Sequence, residues 1–174
     1  MPTQIDNLRI DRSQPLIAPA VLAEQLPCSE QLAASISSHR RTIERVLSGE
    51  DPRVLVIVGP CSVHDPAALL DYARRFKAAM QPLSRQLLPV LRVYFEKPRT
   101  VVGWKGLIND PDMDGSFHIN RGLHLARRVL LDVAELGLPA ASEFLDTTFG
   151  QYYADLVSLG AIRSEEHTSE LQSP

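Results

Sequence analysis

Cysteine is nearly absent from this 174-residue chain: it holds only Cys28 and Cys61, so a disulfide framework is not its scaffold. Long apolar runs are missing too. None approaches the roughly 20 residues that span a bilayer, and the opening MPTQIDNLRIDRSQP has no apolar centre of the signal-peptide kind. A cytoplasmic protein with reduced thiols is the expectation. Neither sign of charge is in large excess; a formal net charge of −3 gives no support to nucleic-acid or membrane binding as a main role. GxxxxGK and GxGxxG do not occur, which leaves nucleotide binding without support. Internal repeats and low-complexity stretches are lacking as well.

What is present is globular. The chain is 44% hydrophobic and 22% charged, at a length that allows one domain with a real core. Residues 1 to about 28 are proline-rich and polar, reading as an extended arm with one helical turn near Val21. From Ser29, a plausible N-cap, Leu32, Ile36, Ile43, Val46 and Leu47 recur at helical spacing up to Gly49, a plausible stop. Residues 1–50 thus form an arm and a helix.

The rhythm then changes. Leu55 to Val58 is a continuous apolar run of the sort found in a parallel strand covered on both faces. Asp65-Pro66, a cap followed by proline in the first turn, opens a helix to about Met80. A second strand is expected over Val90–Phe95, a long loop from Pro98 to about Gly115, and a helix carrying Ile119, Leu123, Ala126, Leu130 and Val133. A third strand, about Ala140 to Leu145, should lead into a helix containing Tyr152, Leu156 and Leu159. Three strand-then-helix units in succession predict a parallel α/β sheet over 51–162. Doubly wound sheets and (β/α)8 barrels share this rhythm, and periodicity does not separate them.

Functional groups in such sheets gather at the carboxyl ends of the strands. Here those ends carry Gly59-Pro60-Cys61-Ser62-Val63-His64, Glu96-Lys97-Pro98-Arg99-Thr100 and Glu143-Phe144-Leu145-Asp146. Cys61 reads either as a small buried residue or as a thiolate donor to a borderline divalent metal, with His64 nearby. Lys97, Arg99 and Lys105 with Thr100 read as a compact anion site or as a solvated basic loop. Arg92, between Leu91 and Val93 in a buried strand, must be paired or face a ligand. Arg92 and Lys97 have opposite parity, so they share a face only if the strand ends or bulges before Lys97. Glu143 could be an ion-pair member, a water-orienting group or an acid of raised pKa; Asp146 could cap the next helix. Asp110-Pro111-Asp112-Met113-Asp114-Gly115 opens like a calcium loop, but Arg121 stands where that loop needs glutamate, so it reads as a turn before the next helix.

The runs Gly59 to Pro66, Arg92 to Thr100 and Gly103-Trp104-Lys105-Gly106-Leu107-Ile108 resemble the bacterial type I 3-deoxy-D-arabino-heptulosonate-7-phosphate (DAHP) synthases. The similarity runs from about Asp6 through Ile162. It implies a (β/α)8 barrel with an N-terminal extension, of which about three βα units are present. The implied activity is a metal-dependent condensation of phosphoenolpyruvate with erythrose 4-phosphate, the first step of the shikimate route. By the same resemblance Cys61 is a ligand of a manganese, iron or cobalt ion, and His64 lies beside the metal without ligating it. Arg92 and Lys97 contact phosphoenolpyruvate, and Lys97 also lies near the aldehyde. Pro98, Arg99 and Thr100 belong to the erythrose-phosphate site, and Glu143 stands beside the phosphoenolpyruvate. The remaining ligands, a histidine, a glutamate and an aspartate, come from later strands. A homo-oligomer and an aromatic amino acid effector are also implied. Gly150 and Gln151, in the region after the third strand, look like the tryptophan-sensitive subgroup.

Two other readings stand beside this one. Lys97 could be the Schiff-base lysine of a barrel aldolase that needs no metal. The chain could also be a non-functional fragment or a binding module. Residues 163–174 have no apolar period and read like a translated sequencing adapter, the alternative being a polar C-terminus. A chain ending its native sequence near Ile162 is expected to be inactive.

Overall fold

The fold is that of a computed structural model, which describes residues 13–97, 103–145 and 148–162. Pro98, Arg99, Thr100, Asp146 and the 163–174 segment lie outside the described residues.

A short helix, α1 (Pro19–Gln25), stands where the single helical turn is expected, and α2 (Glu30–Leu47) follows. The Ser29 hydroxyl accepts from the Leu32 amide at 3.3 Å, which satisfies one of the orphan donors of the first turn. Strand β1 (Val54–Val58) leads through the Cys61 turn to α3 (Pro66–Met80). Asp65 caps that helix by accepting from the amides of Ala67 and Ala68 at 2.8 and 3.1 Å. Strand β2 (Leu87–Arg92), α4 (Ile119–Glu135), β3 (Ala140–Phe144) and β4 (Leu159–Ile162) complete the order.

Two elements differ from the sequence expectation. The second strand starts earlier and ends at Arg92 rather than Phe95: β1 pairs with Leu87 to Leu91, and β3 carries the ladder one residue further through Arg92 and Ala141. Beyond Arg92 the chain turns to meet other groups: the Val63 amide donates to the Tyr94 carbonyl at 2.7 Å. The helix expected over Tyr152, Leu156 and Leu159 is instead two 3-10 turns, Phe149–Tyr152 and Ala154–Leu156, followed by β4. The i, i+4, i+7 apolar spacing there arises from three different elements. Arginines hold the turns: Arg40 donates to the carbonyls of Ala154, Asp155 and Val157, and Arg127 to that of Tyr152.

All neighbouring strands are parallel and the order is β1-β2-β3-β4. A doubly wound sheet reverses its order at a switch point beside its first strand. This sheet adds each strand to the same edge, the winding of a barrel. Alternate residues face two separate cores. Leu91 and Ala140 pack with Leu69, Ala73 and Phe76 of α3 and Leu123, Val129 and Leu130 of α4. Val90 and Ala141 turn the other way, toward Ile43 of α2. Arg92 and Glu143 have the parity of Val90 and Ala141, so both belong to the α2 side of the sheet, above that helix.

One interior charge braces the outer layer. Arg127 is 2% exposed, yet it donates to both oxygens of Asp155 at 2.8 and 2.9 Å and to the Leu26 and Tyr152 carbonyls. Its charge and most of its donors are therefore answered. No helix among the described residues is long and apolar enough to cross a membrane.

Candidate functional site

The turn after β1 and the segment after β2 build the site together. Gly59 is required where they approach: a Cβ there would run into the Arg92 carbonyl oxygen. With glycine in place, the Cys61 turn lies directly against the end of β2. One nitrogen of the Arg92 guanidinium, Nη2, donates to the Cys61 carbonyl at 3.2 Å, and the guanidinium carbon sits 4.2 Å from the centre of the Tyr94 ring. Its Nε is buried and has no hydrogen-bond partner among the described residues. From the other side of the turn, Lys97 Nζ reaches Cys61 Sγ at 2.9 Å. Cys61 itself is exposed.

The parity conflict between Arg92 and Lys97 is thereby resolved. The strand ends at Arg92, and the chain is next held by an antiparallel bridge between Glu96 and Gly106. The Lys97 amide donates to the Lys105 carbonyl at 3.0 Å and the Leu107 amide to the Phe95 carbonyl at 2.7 Å. Gly106 has φ +114°, and a Cβ there would strike the Phe95 carbonyl, so only glycine closes this neck. Lys97 is half-buried and Lys105 is exposed, and the two are neighbours through their backbone hydrogen bond. On the adjacent strand β3, and on the same side of the sheet as Arg92, half-buried Glu143 stands opposite Ala161 of β4.

The remaining sequence candidates fall as follows. His64 is exposed in the turn before α3. Gly150 lies in the first 3-10 turn, where a Cβ would come 3.1 Å from the Phe144 ring; Gln151 beside it is exposed. Cys28 packs against the main core, where burial and then the Asp155 carboxylate push its thiol above the ordinary value, as for an inert structural cysteine. The aspartates of the calcium-like stretch serve their own turn. Asp110 accepts from the Gly115 amide, and Asp112 pairs with Arg121 at 2.7 Å and lies 3.1 Å from the His118 ring nitrogen. Two contributors went unremarked in the sequence: Tyr94, legible only as an aromatic two positions after Arg92, and Gly59, whose role depends on a strand 33 residues later (92 − 59).

Among the described residues no group of three or more His, Cys, Asp or Glu could hold a metal ion. Cys61 fits as one donor: it is exposed, and sulfur suits a borderline divalent ion.

Fold and site therefore define one sector of a parallel α/β barrel, with a thiol, cations and a carboxylate at its carboxyl rim. The family model for the DAHP synthetase I family matches residues 26–171, and the chain belongs to that family. It is 52% identical over 166 residues to the Trp-sensitive phospho-2-dehydro-3-deoxyheptonate aldolase of Salmonella typhimurium, covering 95% of this chain and 48% of that protein. It is 51% identical to the Phe-sensitive enzyme of Escherichia coli K12, covering 97% and 48% respectively. A phospho-2-dehydro-3-deoxyheptonate aldolase structure from Francisella tularensis superimposes with a TM-score of 0.84 at 46% identity, over 88% of this chain and 45% of that one. The chain thus spans about half the length of the curated relatives it matches.

Proposed function

We propose that the whole protein is a metal-dependent 3-deoxy-7-phosphoheptulonate synthase, joining phosphoenolpyruvate to erythrose 4-phosphate. The observation that carries this is the meeting of Lys97 and Arg92 on the Cys61 turn, within a chain of the DAHP synthetase I family. Arg92 and Lys97 hold the phosphoenolpyruvate, and Lys97 also stands at the aldehyde. Pro98, Arg99 and Thr100 receive the erythrose phosphate; an arginine fork and a hydroxyl suit phosphate oxygens. C3 of phosphoenolpyruvate attacks the aldehyde carbon, water adds at C2, and phosphate leaves. Glu143 orients that water. Fixed cations balance two phosphates and a carboxylate without reorganising during the reaction.

Cys61 is the residue of this chain that would hold the metal, with His64 beside it. A bound manganese, iron or cobalt ion would supply Lewis acidity at the aldehyde oxygen. The proposal extends to a homo-oligomeric, cytoplasmic enzyme of aromatic amino acid biosynthesis, restrained by an aromatic amino acid that reads the Gly150-Gln151 turn. The same reading holds the isolated 174-residue chain inactive.

The experiment is phosphate release from phosphoenolpyruvate with erythrose 4-phosphate in the full-length protein, before and after exhaustive chelation. Turnover that chelation abolishes and manganese restores is the expected result. Undiminished turnover after chelation, with borohydride trapping substrate on Lys97, would replace this reading with a Schiff-base aldolase.

A further inference from the structure

Arginine on the rim of a barrel is useful only if its fork points one way. Arg92 ends β2, where the regular ladder that would set its direction stops. Its chain-wise neighbours Val93 and Phe95 are both buried on the opposite side, so Tyr94 returns to the side of Arg92. The ring centre lies 4.2 Å from the guanidinium carbon, a cation–π distance. Tyr94 is in turn anchored through its own carbonyl, which accepts from Val63 at 2.7 Å in the Cys61 turn. A second hold acts at the edge of the fork, where Nη2 donates to the Cys61 carbonyl. The backbone of Arg92 is pressed against Gly59, which leaves the residue no room to slide. One flat face and one edge of the guanidinium are thus fixed by protein, and the buried Nε adds nothing to that hold.

We infer that Tyr94 is a positioning residue: its ring is the platform that fixes the plane of the Arg92 guanidinium for the enolpyruvyl substrate. This rests on the proposed function for the identity of the substrate, but not for the platform itself. The aromatic face does the work. The hydroxyl is dispensable, so phenylalanine serves and an aliphatic side chain of similar bulk does not.

The test uses the full-length protein with Tyr94→Phe and Tyr94→Leu. The first readout is kinetic. Tyr94→Leu should raise KM for phosphoenolpyruvate on the order of threefold to thirtyfold, the range of one cation–π contact. KM for erythrose 4-phosphate and the melting temperature should stay unchanged, and Tyr94→Phe should remain within about twofold of wild type. The second readout needs no turnover: the rate at which phenylglyoxal modifies Arg92, followed on its own peptide by mass spectrometry. That rate should rise severalfold in Tyr94→Leu and not in Tyr94→Phe. An unchanged Arg92 rate in Tyr94→Leu overturns the inference, as does a KM change shared equally by both substrates or a Phe variant as impaired as the Leu variant. If wild type releases no phosphate from the two substrates, the proposed function fails, and the modification rates still decide the platform.

Discussion

The side-chain nitrogen of Lys97 lies 2.9 Å from the sulfur of Cys61, 36 residues earlier in the chain. The pair joins the segments that follow two adjacent strands, and it puts an ammonium against a sulfur of the type that binds metals. The two groups should separate cleanly by substitution. In the full-length protein, Cys61→Ala should lower manganese affinity tenfold or more on the order of a lost ligand, measured by metal content after dialysis. Lys97→Met should retain its manganese yet lose roughly 100- to 1,000-fold in kcat, as for one transition-state donor. A Lys97→Met enzyme with near-normal turnover would argue against a catalytic lysine.

The Gly150-Gln151 turn bears on control. Gly150 lies against the ring of Phe144, the last residue of β3 and the one that follows Glu143, so an effector seated at the turn has a short path to the rim. Titration of the full-length enzyme with tryptophan, tyrosine and phenylalanine should show tryptophan as the strongest inhibitor. Stronger inhibition by either of the others refutes the assignment.

Gly122 offers a test of packing against propensity. It lies inside α4, where replacing glycine by alanine ordinarily stabilises by about 1 kcal/mol. Here a Cβ would strike the carbonyl oxygen of Ile108, a backbone atom with nowhere to go. Gly122→Ala should therefore destabilise the full-length protein by about 1–3 kcal/mol in urea titration. A gain in stability would show that helix and loop can part without cost.

Arg127→Met should be costly for a different reason. It removes a 2%-exposed guanidinium and leaves the Leu26 and Tyr152 carbonyls without their donor. A loss of about 3–5 kcal/mol is expected for breaking such a buried pair. Asp155 has a half-exposed side chain, so water can replace it, and Asp155→Asn should cost clearly less. Equal losses from the two variants in the same denaturation assay would contradict this account.

The 174-residue chain expressed by itself should neither turn over substrate nor melt cooperatively. Among the described residues strand β1 pairs only with β2, and Val54, Ile57 and Val58 are 60%, 44% and 38% exposed, while Ile162 of β4 is 90% exposed. Wet apolar strands with open edges recruit other chains. Size-exclusion chromatography and a thermal melt check this; a monomer with a sharp transition and synthase activity would overturn it.

Much of this protein is decided locally, and the sequence by itself determines that part. Ser29 and Asp65 start their helices because a side-chain oxygen next to free amides needs no distant partner. The apolar runs of β1 and β3 and the periodic face of α4 are equally local, as are the long motifs around Cys61, Arg92 and Lys97 that mark the family. Tertiary structure alone decided the rest. The winding of the sheet depends on which strand β4 joins, and strand rhythm carries no such information. The apolar spacing from Tyr152 to Leu159 suits a helix, yet Arg40 and Arg127, 117 and 25 residues from the carbonyls of Val157 and Tyr152, hold that stretch as turns. Whether Arg92 and Lys97 could share a site depended on where β2 stopped, which was set by the partners that β1 and β3 offer, ending at Leu91 and Arg92 respectively. In each case the deciding contact lies far along the chain, and local pattern reports only what neighbours in sequence can do.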